Sequence, residues 1–246
     1  MSNISAVIIT KNEEKNLPAC LDSLTWADEI VIVDSGSIDN TLETAYRYGC
    51  KVKQSDWLGF GRTKQLAVNS AKNDWVLSID ADEILTKELI EHLKEIDLSS
   101  DTRGYRIKRS SFYLGKKIKY SGWQRDFPLR LFNRRFGSFN ENDVHESVQL
   151  TGSTGYIEFE MLHYTYPDLQ THLEKINFYS TLSAGSMFDK GRSISLAGIF
   201  VRTIVKFFKM YFINLGFMDG RCGLLLAVNS SYGIFIKYGK LWQLNR

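Results

Sequence analysis

Over its first hundred residues the chain alternates short apolar runs with longer amphipathic stretches. Ile4–Thr10 is a β-branched run, Glu29–Asp34 (EIVIVD) a second, Lys51–Gln54 a short third and Trp75–Ile79 (WVLSI) a fourth. Runs this short, apolar on both parities, fit inner strands of a parallel sheet. Helices are predicted between them, over Glu13–Leu24, from Asn40 to Tyr48, and over Thr63–Lys72. Asn12 is placed to cap the first, and Pro18 delays its start or kinks it. Asn40 with Glu43 resembles a capping box, and Gly49 stops that helix. Strands alternating with helices imply βαβ units, hence an α/β protein with a largely parallel central sheet flanked by helices. After Leu98 the pattern changes. Gly104–Tyr113 alternates as an antiparallel strand does, Leu129–Phe132 and Tyr156–His163 read as further strands, and Leu169–Phe188 reads as a helix.

Charge sharpens this division. Residues 1–100 hold 10 Lys/Arg and 17 Asp/Glu, whereas residues 101–246 hold 21 and 11. A basic second half points to an anionic partner, and no recognition motif turns that toward nucleic acid. The 3 cysteines, Cys20, Cys50 and Cys222, are widely spaced and form no zinc pattern, which reads as reduced thiols in a cytosolic protein. Ala6–Ile9 is too short for a signal peptide, and no uncharged stretch reaches the roughly 18–20 residues of a membrane span.

The chemistry gathers at the carboxyl ends of the predicted strands, where open α/β sheets bind ligands. Asp80-Ala81-Asp82 follows the fourth strand. On extended chain two carboxylates at this spacing point the same way and repel unless a cation lies between them, and hard oxygen ligands of this kind suit Mg2+ or Mn2+ shared with substrate phosphates. The plainer reading is that one aspartate caps a helix starting near Thr86 and the other is solvated. Thr10-Lys11-Asn12-Glu13 and Asp34-Ser35-Gly36-Ser37 follow the first and second strands on the same edge. Asp34 can accept from a base N–H or a ribose hydroxyl, or simply cap a helix, and Gly36 permits close backbone approach. A dinucleotide fingerprint and a P-loop are both absent from the sequence.

These stretches, with Gly59-Phe60-Gly61, Lys64 and WVLSIDADE at 75–83, resemble family 2 glycosyltransferases of the GT-A fold. Within that family the chain is most similar to lipopolysaccharide core β-glycosyltransferases, with RLF at 130–132, Val144-His145-Glu146 and His163 adding to the likeness. The resemblance implies a nucleotide-sugar donor, UDP-linked in first place, a divalent cation and inversion at the anomeric carbon. By carry-over, Thr10, Asn12, Glu13 and Asp34 line the nucleoside pocket. Asp80 faces ribose or metal, Asp82 binds the metal, and Lys64 contacts diphosphate or nucleoside, or is merely a solvated helix lysine.

Inversion needs a base on the face opposite the leaving group. Asn140–Glu146 supplies three acids. Glu146 fits the resemblance best and Asp143 is the alternative, while a salt bridge from Glu146 to an arginine such as Arg130 is the structural reading. His145 orients Glu146, ligates metal or makes a structural hydrogen bond. His163 is a third metal ligand or, preferably, a satisfied buried histidine. Trp123 can stack on a sugar or pack in a core, and Arg125 and Arg130 can grip phosphates.

From Ile194 to Met218 the chain is apolar except for Arg202, Lys206 and Lys209, which share a helical face. Such a helix lies on an anionic inner-leaflet surface, packs on the protein, or pairs with a second copy. The expected organisation is a GT-A domain over 1–190, divided at 100 into donor and acceptor halves, and an amphipathic helical region over 191–246. The expected activity moves a hexose, glucose first, onto a membrane-held glycan such as a lipopolysaccharide inner core, at the cytoplasmic side of the inner membrane. The competing readings are a sugar nucleotidyltransferase and a non-catalytic membrane-associated nucleotide-binding scaffold.

Overall fold

The computed structural model describes residues 3–141 and 146–246. By contacts it forms two units, residues 1–109 with 126–163, and residues 110–125 with 164–246. In the first unit β1 (Ile4–Thr10) runs parallel to β2 (Glu29–Asp34) on one side and to β4 (Trp75–Ser78) on the other, and β3 (Lys51–Gln54) extends the parallel edge beyond β2. The sheet is mixed rather than mostly parallel. β8 (Leu129–Asn133) is antiparallel to β4, β6 (Thr102–Tyr113) is antiparallel to β8, β11 (Ser153–Tyr166) follows, and β5 (Glu83–Leu85) is antiparallel to β11 at the far edge. The short β7 (Lys116–Lys117) pairs with β6, and β9 (Gly137–Phe139) pairs with β10 (Val148–Leu150) as a separate ribbon.

Two apolar layers hold the parallel strands. Ile4, Ala6 and Ile8 point to one face, with Leu17, Leu21, Leu89 and Leu93 of the flanking helices, while Val7, Val31, Val33 and Val76 point to the other, with Ala67 and Val68. This is the period-two signature of strands covered on both faces.

The helices follow the predicted order with shifted ends. α1 is Leu17–Asp22, not Glu13–Leu24. Pro18 has no N–H to give an upstream carbonyl, so it fits only in a first turn, and residues before it form turns instead. α2 (Thr41–Arg47) starts without a side-chain cap from Asn40; the Asn40 amide and side chain donate to Glu14 instead, so the expected capping box does not form. α3 (Phe60–Ser70) begins three residues early, because Gly59 at φ 89 turns the chain into it. α4 (Lys87–Glu95) is capped by Thr86, whose hydroxyl accepts from the Leu89 amide.

In the second unit α5 (Leu169–Asp189) packs on α7 (Gly220–Leu244), so it goes with the C-terminal helices rather than with the sheet. α6 (Leu196–Phe208) also lies on α7 and runs into a single π turn, Lys209–Ile213. The helix expected through Met218 breaks at Leu215, which is left-handed with φ 56. Tyr113, Ile118, Met210, Leu226 and Ala227 form this unit's core.

Candidate active site

The loops after β1 and β2 are stitched together. Asn12 sits at φ 56, a left-handed position that asparagine tolerates. Its amide donates to Ser37 Oγ at 2.8 Å, and its Oδ1 accepts from the Ile38 amide at 2.9 Å. The Glu13 amide donates to Thr41 Oγ1 at 2.8 Å. Asp34 is fully buried and accepts from the Gly36 and Ser37 amides and from the hydroxyls of Thr10 and Ser37. Its carboxylate is thus engaged inside the loop pair, and the surface it offers a ligand is the loop it shapes, including Gly36 at φ 85 with open space where a Cβ would stand.

The segment after β4 is not extended. The Glu83 amide donates to the Asp80 carbonyl at 3.0 Å, closing a turn, and Glu83 Oε2 accepts from the Asp80 amide at 2.9 Å. The two aspartates therefore do not share one side. Asp80 lies between two cations, Lys64 Nζ at 2.8 Å and Arg130 Nη2 at 2.6 Å. Asp82 Oδ1 lies 3.5 Å from His163 Nε2, with both side chains largely shielded. Neither aspartate caps α4.

Around Asp80 the charges interlock. Lys64, 5 % exposed, reaches from α3 and also touches Glu146 Oε1 at 2.8 Å. Arg130 on β8 pairs with fully buried Glu83 at 2.5 Å, and Arg109 on β6 joins Glu83 at 3.2 Å and Asp126 at 2.7 Å. Burial alone would raise the Asp80 carboxyl, but the facing Arg130 and Lys64 outweigh it and hold Asp80 well below the ordinary carboxylate range. Burial likewise disfavours the charged Lys64, and Asp80 first among its neighbours reverses this and raises it. Above the cluster, burial drives the Cys20 thiol well up, so Cys20 is an inert core thiol rather than a nucleophile.

The structure thus brings Lys64, Asp80, Arg130 and Glu146 together, as it does Thr10, Asn12, Glu13, Asp34, Gly36 and Ser37. Glu146 is bridged by Lys64 rather than by Arg130. Ala81 is buried between the two aspartates. Trp123 packs beside the core of the second unit, its ring 6.4 Å from that of Tyr166, which is the packing reading, and Arg125 is exposed in the same unit. Asp143 and His145 lie outside the described residues. Sequence reading missed Glu83 and Arg109. Arg109 has the same strand parity as buried Ile107, so its inward direction was available as a signal.

A divalent cation fits this edge. Five carboxylates (Asp80, Asp82, Glu83, Asp126, Glu146) stand with three cations (Lys64, Arg109, Arg130). That excess of negative charge opposes a diphosphate unless positive charge arrives with it. No group of three or more His, Cys, Asp or Glu side chains forms a metal cage among the described residues. Asp82 would supply the carboxylate that Mg2+ or Mn2+ needs, since these ions are held through one or two carboxylates and complete their shell with phosphates and water, and His163 stands beside it at 3.5 Å.

Comparison with known proteins supplies the family. The profile described as Glycosyl transferase family 2 matches residues 5–142. The chain is a family 2 glycosyltransferase. The glycosyltransferase is 31% identical over 248 residues to a lipopolysaccharide core biosynthesis glycosyltransferase of Rhizobium meliloti, covering 98% of this chain and 92% of that protein. It is equally 31% identical over 258 residues to an uncharacterised glycosyltransferase of Rickettsia typhi, covering 100% of this chain and 88% of that one. Among solved structures, Staphylococcus aureus TarS in complex with UDP superimposes with a TM-score of 0.52 at 15% identity, over 98% of this chain and 90% of that one. TarS in complex with UDP-GlcNAc gives 0.51 at 13% identity, over 98% and 91%. The fold of the glycosyltransferase is therefore GT-A-like, with a C-terminal helical segment.

Proposed function

We propose that this glycosyltransferase is metal-dependent and inverting, and moves a hexose, glucose in first place, from a UDP-sugar onto a lipid-linked or lipopolysaccharide inner-core-type glycan. The acceptor reading is supported by the Rhizobium relative's function in lipopolysaccharide core biosynthesis, and it puts the enzyme at the cytoplasmic face of the inner membrane. The UDP reading is supported by the TarS complexes with UDP and UDP-GlcNAc. The observation that carries the chemistry is Lys64 Nζ standing 2.8 Å from both Asp80 and Glu146.

In this reading the loop pair of Asn12, Glu13, Asp34, Gly36 and Ser37 presents its backbone to the nucleoside. Asp82, with His163 beside it, would hold Mg2+ or Mn2+. The cation, when bound, supplies the charge that a departing diphosphate needs. Lys64 and Arg130 fix Asp80 and add positive charge on the donor side. Glu146 takes the proton of the acceptor hydroxyl as its oxygen attacks C1, and the Lys64 contact at 2.8 Å aims that carboxylate until then.

Glu146→Gln tests this. The amide preserves size but cannot accept a proton, so transfer falls by roughly 10²–10⁴-fold while binding of UDP-glucose with Mn2+ persists as a thermal shift. Wild-type turnover in this variant removes Glu146 from the base role. A shift equal with and without Mn2+, unchanged in Asp82→Ala, removes Asp82 from the metal.

A further inference from the structure

The second unit carries an apolar surface that its own core does not use. On α6 only Ile199 is buried, with Met210 following in the π turn. The remaining large apolar residues stay outside: Phe200 is 57 % exposed, Val201 59 %, Ile204 55 %, Val205 57 % and Phe208 52 %. α7 adds Leu224, Val228 and Tyr232, which are also exposed, and the rings of Phe200 and Phe235 meet at 5.8 Å, so the two apolar faces join. Contiguous apolar patches of this kind mark interaction surfaces.

Its charge selects the partner. Residues 191–246 hold eight Lys/Arg and one acid, Asp219. Asp219 is 2 % exposed and accepts from the Lys119 and Tyr120 amides and the Ser121 hydroxyl, so this segment presents no side-chain carboxylate outward. Arg202 and Lys209 flank the apolar face of α6, and Arg221 lies at the start of α7; all three are exposed. A two-fold dimer through this face would set these cations against their own copies with no acid in the segment to answer them. Among the described residues no helix is long and apolar enough to cross a membrane.

We infer that the outward face of α6 and α7 docks in the plane of an anionic lipid bilayer, with Phe200, Ile204 and Phe208 entering the headgroup–acyl boundary and Arg202, Lys209 and Arg221 meeting lipid phosphates. This extends the membrane-held acceptor proposed above, but it stands on the second unit alone. An apolar face with flanking cations is the physical requirement for interfacial binding.

The test is co-sedimentation of the full chain with vesicles of phosphatidylglycerol and phosphatidylethanolamine, against phosphatidylcholine, at low and high salt. One variant is Arg202→Glu with Lys209→Glu and Arg221→Glu; a second is Val201→Ser with Ile204→Ser and Phe208→Ser. Each cation near an anionic surface contributes roughly fivefold, so neutralising three would lower partitioning on the order of 100-fold, reversal to Glu lowers it further, and salt weakens binding of the wild type. The serine variant loses binding to both vesicle types. None of the six side chains is part of the unit's core, so both variants stay folded by circular dichroism and keep wild-type thermal shifts with UDP, giving up contacts such as those of Phe208 with Phe212 and of Arg202 with Tyr238. Binding equal on anionic and neutral vesicles, or unchanged in either variant, overturns the inference, as does sedimentation equilibrium showing a dimer that the serine variant abolishes. Failure of the glycosyltransfer reading would appear instead as loss of UDP binding or transfer with vesicle binding intact.

Discussion

Arg130→Met is expected to be among the most disruptive single changes in the first unit, although it removes no apolar contact. Arg130 is 5 % exposed and its guanidinium holds Asp80 at 2.6 Å and Glu83 at 2.5 Å. Methionine retains the apolar stem but not the guanidinium at its end. What it removes is the nearer cation facing a carboxylate with no exposure at all, Glu83, which keeps Arg109 at 3.2 Å and the Asp80 amide at 2.9 Å. Removing one partner of a buried pair costs about 3–5 kcal/mol, because the remaining charge stays buried without its nearest counter-charge. For a chain of this size each kcal/mol moves the melting temperature by about 2–4 °C, so the variant melts on the order of 6–20 °C lower. Urea denaturation gives the free energy directly. Glu83→Gln combined with Arg130→Met costs much less than the sum of the two single changes, since both delete the same pair. A loss under about 1 kcal/mol, or additive single changes, would refute the claim that this cluster braces the turn at 80–83.

The acid limb gives a second reading of the same cluster. Arg130 and Lys64 hold the Asp80 carboxyl well below its ordinary range against the upward pull of burial. A carboxyl depressed in the folded state releases its proton more readily folded than unfolded. Its stabilisation is therefore fully present above the unfolded value near pH 4 and is lost as pH falls through the folded value. Arg130→Met raises the Asp80 value, so part of the acid destabilisation below pH 4 disappears even as stability near neutrality falls. A wild-type acid slope in the variant would show that Asp80 does not contribute.

Three further outcomes are expected. Asp34→Ala leaves two hydroxyls and two amides without their acceptor; it costs about 2–4 kcal/mol in denaturation and weakens UDP binding, and wild-type values for both would refute it. His172, 3 % exposed with Nδ1 3.2 Å from Tyr113 Oη, has its value pushed down by burial to about 4. The unfolded chain then binds the proton more tightly, so about 3 kcal/mol is lost as pH falls from about 6.5 to about 4, and His172→Gln flattens that limb. In Gly223→Ala the new Cβ would stand 1.9 Å from the Gly216 carbonyl oxygen; overpacking of that kind costs about 1–3 kcal/mol, and a neutral melting temperature would show that the start of α7 yields.

The parallel half of the sheet was legible because its information is local. Ile4–Thr10 and Glu29–Asp34 are runs that only buried strands explain, and both ends match the structure. The antiparallel half was legible as strands but not as pairings, because β8 bonding to β4 joins residues some 55 positions apart, Trp75 to Asn133 at the extreme. The C-terminal region was legible as helical, but the bounds of α7 within it were not, for a different reason. The helix carries Gly220, Gly223, Gly233 and Gly239, which lower helix propensity. At Gly223 the missing side chain is what lets the helix approach the Gly216 turn, so the residue that obscures the helix is the one its packing requires.

The site was legible as a set of loops and illegible as a set of partners. Spacing drew attention to Asp80 and Asp82, but reading them as two ligands on one extended strand overlooked the third acid. Glu83 closes the turn by accepting from the Asp80 amide, and that turn sends Asp80 toward Lys64 and Arg130 and leaves Asp82 to His163. The deciding interactions span long distances in sequence, from Lys64 to Glu146 and from Asp80 to Arg130, and no periodicity encodes them. A buried carboxylate must find a cation or, as Asp34 does, a full set of N–H and O–H donors. Three acids in four positions at the end of a buried strand therefore call for basic residues elsewhere at inward positions. Lys64 on the buried side of α3 and Arg109 and Arg130 on β6 and β8 meet that demand, and charge balance is the criterion by which a sequence reading would have found them.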